Sequence, residues 1–314
     1  MISKDDILNA HKKIETLVHR TPVLTCSTLN RMSGMSLFFK CENLQKVGAF
    51  KARGASHAIA CLSQVELEKG VATHSSGNHG QALAWAAKNR GAKAYIVMPK
   101  GAAKVKIEAV RGYGAEVIFS ENNQAARESK LNEIVERTGA SFIHPYNHAE
   151  VIKGQATAAK ELLETHPNLD YVIAPVGGGG LLAGTSLSVK YFSKKAKTLG
   201  AEPANADDTF RSMKAGSIMP LAPKMTIADG LRTQVGEVPF PIIQENVEEI
   251  LLAPEEDILP AMIMVWERMK IIIEPSCAVP LAALMRQKER FAGKNVGIIL
   301  SGGNVDFAAL GMKF

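Results

Sequence analysis

The chain has 314 residues, 46% of them hydrophobic and 22% charged, which suits a well-cored α/β domain with a second lobe. Its net charge of +6 is scattered without a block of like charge, which argues against a nucleic-acid surface and leaves room for a small anionic ligand. Cys26, Cys41, Cys61 and Cys277 show no CxxC or disulfide-dense spacing, the N-terminus lacks an apolar signal core, and no apolar run reaches membrane-spanning length. The expectation is a cytoplasmic, soluble protein with reduced thiols.

In chain order, two periodicities alternate. SLFFKCE (36–42) reads as a strand and GASHAIACL (54–62) as a helix. GVATHSS (70–76) is a strand, and GQALAWAAKNRG (80–91) is a helix closed by Gly91. KAYIVMP (93–99) and AEVIFS (115–120) are strands on either side of the helix AAKVKIEAVRGYG (102–114). NQAARESKLNEIVERTG (123–139) is a helix, ASFIHPY (140–146) a short strand, and GQATAAKELLETH (154–166) a long helix. YVIAPV (171–176) is a strand followed by four glycines and the helix LLAGTSLSVKYFSKKA (181–196). The stretch 202–240, rich in Pro, Gly and Asp, reads as an irregular functional loop. Helix ILPAMIMVWERMK (258–270), strand IIIEP (271–275), helix AVPLAALMRQKERFAG (278–293) and strand NVGIILSGG (295–303) complete the chain. Such alternation implies parallel sheets with helical crossovers. The Met-rich stripe of the 258–270 helix reads as core.

Ligands of open parallel sheets bind beyond the carboxyl ends of strands. Gly177, Gly178, Gly179 and Gly180 lie there, between a strand and the first turn of a helix. Without side chains their N–H groups converge on one anion, and the helix dipole adds positive charge. The pattern is neither GxGxxG nor GxxxxGK, so it suits a phosphate outside the dinucleotide and NTP folds. Ser75, Ser76, Gly77, Asn78, His79 and Gly80 form a second strand-to-helix junction, whose hydroxyls, amide and N–H groups suit a carboxylate; an ordinary N-cap is the plainer reading. Ser301-Gly302-Gly303-Asn304 ends a third strand and is weak alone. Lys51, in VGAFKARGAS, precedes a helix. A lysine next to Arg53 is ordinarily a solvated surface residue, and that setting alone does not select it; partial desolvation and the neighbouring cation would lower its pKa and free the amine.

These motifs carry a resemblance. GAFKARGA, SSGNHGQA and PVGGGGLLAG, followed by AEPANADD, TIADG, WERMK, IEP and SGGNVD, resemble in order and spacing the fold-type II pyridoxal-phosphate (PLP) enzymes. Within that family they resemble the serine racemase and serine/threonine dehydratase (ammonia-lyase) branch, over almost the whole chain. The resemblance implies a two-lobed, tryptophan synthase β-like α/β fold with parallel sheets flanked by helices. Residues 1–69 and 148–314 would form a large PLP-binding domain, and 70–147 an inserted small domain that closes over substrate. It further implies that Lys51 holds PLP as a Schiff base, with Phe50 backing the ring. Gly177 to Gly180 would cup the phosphate, Asn78 would bond the ring hydroxyl, and Ser301 would face the pyridine nitrogen. Ser75, Ser76, Gly77, Asn78 and His79 would surround the substrate carboxylate.

A serine at the ring nitrogen makes a weaker electron sink than an aspartate and favours β-elimination, with Lys51 removing the α-proton. Ser76 would be the acid/base on the opposite face that racemisation needs, although hydroxyaspartate dehydratases also resemble this chain there. The expected activity is conversion of L-serine or L-threonine to keto acid and ammonia, with serine racemisation permitted. The alternative is 3-hydroxyaspartate dehydration, for which Arg127 or His148 would read the second carboxylate. Tyr146 stands where mammalian racemases resemble one another in having asparagine, which puts strict serine specificity in doubt. A β-replacement synthase and a non-catalytic amino-acid sensor are weaker readings. Glu202, the Ala206 carbonyl and Asp208 resemble a Mg²⁺ or Ca²⁺ site. Gln81, Lys106, Tyr113 and Lys270 match positions that bind activating ATP between subunits, and a homodimer is implied. His144 and His148, around Pro145, do not read as a metal pair.

Overall fold

The computed structural model describes residues 2–75, 77–307 and 310–311. Helix α1 (Lys4–Ile14) starts at a capping box: the Ser3 hydroxyl accepts from the Asp6 N–H, and the Asp6 carboxylate accepts from the Ser3 N–H. Then come β1 (Val23–Leu24), α2 (Ser27–Ser33), β2 (Ser36–Cys41), α3 (Lys51–Ala60) and α4 (Gln64–Lys69). Strands β3 (Val71–His74), β4 (Ala94–Pro99), β5 (Glu116–Ser120) and β6 (Ser141–Phe142) alternate with helices α5 (Asn78–Asn89), α6 (Lys104–Gly112) and α7 (Gln124–Thr138). Helix α8 (Ala149–Thr165), β7 (Tyr171–Pro175), α9 (Gly180–Phe192), β8 (Lys197–Pro203) and α10 (Asp208–Ala215) follow. The remainder is α11 (Pro239–Asn246), β9 (Glu249–Ala253), α12 (Glu255–Met269), α13 (Pro275–Arg286) and β10 (Asn295–Leu300).

Among the described residues the strands form two sheets, in the orders β1-β2-β10-β7-β8-β9 and β5-β4-β3-β6. Every pairing is parallel except the short edge strand β1, which runs antiparallel to β2. In the larger sheet, Leu37, Phe39, Ile298 and Leu300 face α12 and α13, packing with Met262, Val265 and Leu281. On the other face Val172, Ala174 and Ile299 pack with Ile152, Leu162 and Leu187 of α8 and α9. The period-2 alternation thus feeds two cores, which is why these strands read as continuous apolar runs. Of the smaller sheet, Val71, Ile96 and Met98 face α5, whereas Ala72, Tyr95 and Val97 face α7.

Four local expectations need correction. IIIEP (271–275) joins no ladder; its backbone serves loops and side chains instead. The Glu274 N–H donates to the Gly302 carbonyl at 3.0 Å, and Trp266 Nε1 and Asn43 Nδ2 donate to the carbonyls of Ile273 and Ile272. The 202–240 stretch is not wholly irregular, because α10 forms within it and ends at Gly216 in the left-handed region. Strands β8 and β9 escape the sequence pattern; β8 is interrupted by Gly200, Glu202 and Pro203, and β9 opens on Glu249. Gly91 follows the C-cap Arg90 of α5 rather than being the cap itself.

Helices α3 and α8 approach so closely that a Cβ on Gly154 would lie 2.7 Å from the Cα of Gly54 and from the carbonyl oxygen of Arg53. Beside this contact sits a buried ion network. Arg53 donates through Nε and Nη2 to Glu42 at 2.7 and 2.8 Å, and through Nη1 and Nη2 to Glu161 at 2.8 Å each. Lys40 Nζ donates to Glu161 at 2.6 Å. Two cations and two carboxylates balance, so the desolvation of each is compensated only while all four are present. Substitution Arg53→Met is expected to cost about 3–5 kcal/mol in urea unfolding, by stranding two buried carboxylates with Lys40 alone; Arg53→Lys should lose less, because it keeps the charge but not the fork.

Candidate active site

Three glycine- or serine-bearing segments follow strand ends: one with Ser75 and Gly77 after β3, 176–179 after β7 and 301–304 after β10. Two belong to the larger sheet and one to the smaller, and the segment 143–148 links them. Lys51, the first residue of α3, donates from Nζ to the Pro145 carbonyl at 2.7 Å. Tyr146 packs on the glycine turn: a Cβ on Gly178 would fall 2.3 Å from its ring, and one on Gly180 would fall 3.0 Å from its Cβ. His79 is tied to Ile143, its Nε2 donating to that carbonyl at 3.0 Å.

Desolvation lowers the Lys51 amine to a pKa of about 8. The expected help from Arg53 is not the cause. That guanidinium is held by Glu42 and Glu161, and burial is what acts on Lys51. Phe50 caps α3, its N–H donates to the Ser301 carbonyl at 3.0 Å, and the Lys51 ammonium lies 5.1 Å from its ring centroid. Burial disfavours the charged form of the surrounding histidines as it does that of Lys51. Burial and the charge of His74 press His144 to about 3, and burial with the Lys51 charge lowers His79 well below the usual imidazole range.

The glycine turn opens helix α9. Gly179 is its N-cap with φ +88°, and no side chain caps this end. The first-turn N–H groups of a helix have no acceptor within it, so this uncapped end is suited to an anion. Gly180 and Leu181 begin the helix beside it. Ser301 is buried close to Cys277. At the second junction, Gly77 is the N-cap of α5, and its N–H donates to Ser75 Oγ at 3.3 Å; the Ser75 N–H is used by the Val97 carbonyl. Ser76 lies outside the described residues.

Asn78 is fixed from both sides. Its Nδ2 donates to Glu274 at 2.9 and 3.2 Å, and its Oδ1 accepts from Asn304 Nδ2 at 2.8 Å. Glu274 is the residue that sequence reasoning missed. Burial raises its pKa to about 7. Its signal was only a charged residue before the proline that opens a helix, and nothing local tied it to Asn78. The Pro145 carbonyl was missed as well, since a backbone acceptor leaves no mark on side-chain patterns.

Arg127 projects from α7, its Nη2 donating to Gln124 at 2.9 Å. Its Nε is buried without a partner among the described residues, and its charge acts on His74 and Tyr146. His148 caps α8 by position, with no side-chain capping bond. Of the positions matched to a nucleotide, Gln81 is buried, Lys106 pairs with Asp229 at 2.9 Å, Tyr113 packs against the smaller sheet's core, and Lys270 Nζ donates to the Glu267 carbonyl.

The acidic pair lies apart from Lys51, at the end of β8. Glu202 accepts from the N–H groups of Thr209 and Phe210 at 3.1 and 2.9 Å, and Asp208 Oδ2 accepts from the Val235 N–H at 2.8 Å. Asp208 Oδ1 is buried without a partner, and the buried Ala206 lies between the two in sequence. Burial, and for Glu202 also the Asp208 charge, raises the two carboxyls to about 8 and about 6. No salt bridge reaches either carboxylate among the described residues, so the donor chemistry and the orphaned oxygen fit a hard cation.

Residues 14–302 match the family described as pyridoxal-phosphate dependent enzyme. The chain is 51% identical over 313 residues to a serine racemase of Dictyostelium discoideum, covering 98% of this chain and 97% of that relative. A crystal structure of serine racemase from the same organism superimposes with a TM-score of 0.92 at 52% identity, over 97% of this chain and 99% of that one. The chain is 44% identical over 306 residues to a beta-hydroxyaspartate dehydratase of Paracoccus denitrificans, covering 98% and 97%. A crystal structure of a T.th. threonine deaminase superimposes with a TM-score of 0.93 at 43% identity, covering 98% and 99%. With an uncapped glycine-lined helix start, a desolvated lysine joined to it through Pro145 and Tyr146, and a match over most of its length, the chain belongs to the family of pyridoxal-phosphate dependent enzymes.

Proposed function

We propose that this enzyme removes water from L-serine and L-threonine, giving a keto acid and ammonia, and that it also racemises serine. The observation that carries the reading is Lys51: a neutralisable amine, desolvated to a pKa of about 8, joined through Pro145 and Tyr146 to a glycine-lined helix N-terminus. In this reading Lys51 holds PLP covalently, Gly177 to Gly180 and the start of α9 hold its phosphate, and Phe50 backs its ring. Asn78 bonds the ring hydroxyl, with its amide oriented by Glu274 and Asn304, and Ser301 meets the ring nitrogen. Bound PLP supplies the electron sink for bonds at the substrate α-carbon.

The rest is done by the chain's own groups. Ser75, Gly77 and the N–H groups at the start of α5 take the substrate carboxylate, together with His79 through its backbone, because its ring is committed to Ile143. Lys51 Nζ takes the α-proton, oriented by the Pro145 carbonyl. Ser76 is assigned the proton on the opposite face from its type and place in the sequence. The segment 70–147 is read as the lobe that closes and excludes water, a reading supported by the smaller sheet, whose strands all fall within it. Glu202, the Ala206 carbonyl and Asp208 are read as a Mg²⁺ or Ca²⁺ site with a stabilising role. ATP activation and a homodimer rest on the family resemblance, and a cytoplasmic setting rests on the cysteine spacing and the charged N-terminal segment.

A second reading, 3-hydroxyaspartate dehydration, is favoured by one observation: the buried Arg127 Nε has no partner among the described residues and stands near Tyr146 and His74. The name of the Paracoccus relative agrees with it.

Keto-acid release and chiral analysis with serine, threonine and 3-hydroxyaspartate separate the readings. Arg127→Gln should leave serine turnover within about threefold under the first reading and lower hydroxyaspartate turnover roughly ten- to a hundredfold under the second. Lys51→Ala should cut every activity by on the order of 10³-fold or more, and a variant that keeps turnover refutes the assignment. Ser76→Ala should abolish racemisation while sparing dehydration of L-substrates; equal loss of both would contradict the two-face scheme. In cofactor-free protein, trace acetylation of Lys51 should rise with pH through a midpoint of about 8, because only the neutral amine reacts, whereas ordinary lysines respond nearer 10.5. Chelation should lower the thermal midpoint and added Mg²⁺ or Ca²⁺ restore it, a response that Asp208→Asn should remove.

A further inference from the structure

A second constellation of chemistry-bearing side chains lies at the far end of the helix that begins with Lys51. His57 and Cys61 are four residues apart at the end of α3 and share a face, and Glu150 sits in the first turn of α8. Their donor atoms all lie within 4.8 Å of one another, the one such group of three His, Cys, Asp or Glu residues among the described residues. Together they line a cavity of about 540 Å³, with Asp6, Asn9 and Lys13 on its other walls.

The geometry points to a site for a thiophilic divalent cation of the zinc class, bound by His57 Nε2, Cys61 Sγ and Glu150 Oε2. The tautomer is set for it. His57 Nδ1 is 2.8 Å from the Glu150 carbonyl, which can only accept, so Nδ1 carries the proton and the Nε2 lone pair faces Cys61. Cys61 Sγ is 3.6 Å from His57 Nε2 and 3.5 Å from Glu150 Oε2. Bonds of about 2.0–2.3 Å around a tetrahedral zinc place donors roughly 3.3–3.6 Å apart. Cys61 Sγ already stands at that separation from both partners without an ion, and His57 and Glu150 meet within 4.8 Å, with His57 Nδ1 3.6 Å from Glu150 Oε2.

The other carboxylate oxygen, Glu150 Oε1, is held by Lys153 at 2.8 Å, and Lys153 is shared with Asp6 at 3.2 Å. This pairing orients the carboxylate and leaves Oε2 for the metal. Lys13, whose Nζ lies 3.4 Å from Cys61 Sγ, is the cation that must move. It is exposed at the rim, so displacing it costs little. The cavity offers room for a water as fourth ligand, and the mixed His/Cys/Glu set favours zinc over magnesium or calcium. A metal here clamps the end of α3 to the start of α8, the two helices that flank the Pro145 turn.

The test uses the PLP-loaded enzyme, stripped with a chelator and dialysed against buffered Zn²⁺. One equivalent per chain is expected above that retained by Cys61→Ser, with affinity falling roughly a hundredfold in that variant and about tenfold in Glu150→Gln. Zinc should slow alkylation of Cys61 at least about tenfold, Mg²⁺ should not, and Asp208→Asn should keep both effects, which separates this site from the acidic pair. Cys61 is exposed, so its serine variant is expected to fold, and an unchanged circular dichroism spectrum checks this. Equal zinc content in the wild type and Cys61→Ser, or an alkylation rate indifferent to zinc, overturns the proposal.

Discussion

The close contact of α3 with α8 is the constraint on which the site rests. Gly54 and Gly154 let the backbones meet, and Arg53 locks the pair by filling both carboxylates of Glu42 and Glu161 with its fork. Arg53 directly follows Ala52 and Lys51, so a side chain anchored on one face of the first helical turn fixes the direction of the lysine on the other. A lysine at position 53 would supply a charge but not four directed hydrogen bonds. The network also explains an electrostatic outcome. The nearest cation to Lys51 in sequence is neutralised internally, so the low pKa of Lys51 is a matter of desolvation.

Around that lysine the protein offers neutral or backbone partners in preference to counter-charges. Pro145 contributes a carbonyl, and His79 and His144 are held uncharged by burial. A carboxylate in direct contact would raise the lysine pKa and keep it cationic. The acid at the Asn78 side, Glu274, is spent on that amide and is itself pushed up by burial. The segment 143–148 is the hub: its carbonyls and rings touch Lys51, His79 and the glycine turn in succession. Tyr146 therefore sits where both the glycine turn and the charge of Arg127 are felt.

Two carboxylate arrangements show how the same residue type is used differently. Glu42 and Glu161 are buried against Arg53 and Lys40, which balance their charge. Glu202 and Asp208 are buried with N–H donors and no salt bridge among the described residues, and burial raises their affinity for protons. Such a pair is at rest only when a positive charge reaches it, whether a proton or a metal ion.

The sequence by itself determined the class of fold, most of the sheet and helix order, and the positions of Lys51, the four glycines and Asn78. The fold class, the element order and the four glycines are carried by local patterns, namely short apolar runs, helical periodicity, and glycines between a strand and a helix; Lys51 and the role of Asn78 are carried by the family resemblance of their motifs. Tertiary structure decided what those residues experience. Arg53 meets Glu161 across 108 residues and Asn78 meets Glu274 across 196, distances at which no periodicity links them. IIIEP has the composition of a strand but its backbone is taken up by loop and side-chain partners, which hold it away from the edge strands β1 and β9 of the larger sheet. The desolvation of Lys51 belongs to the walls around it, and walls are made only when two sheets and the Pro145 turn are brought together.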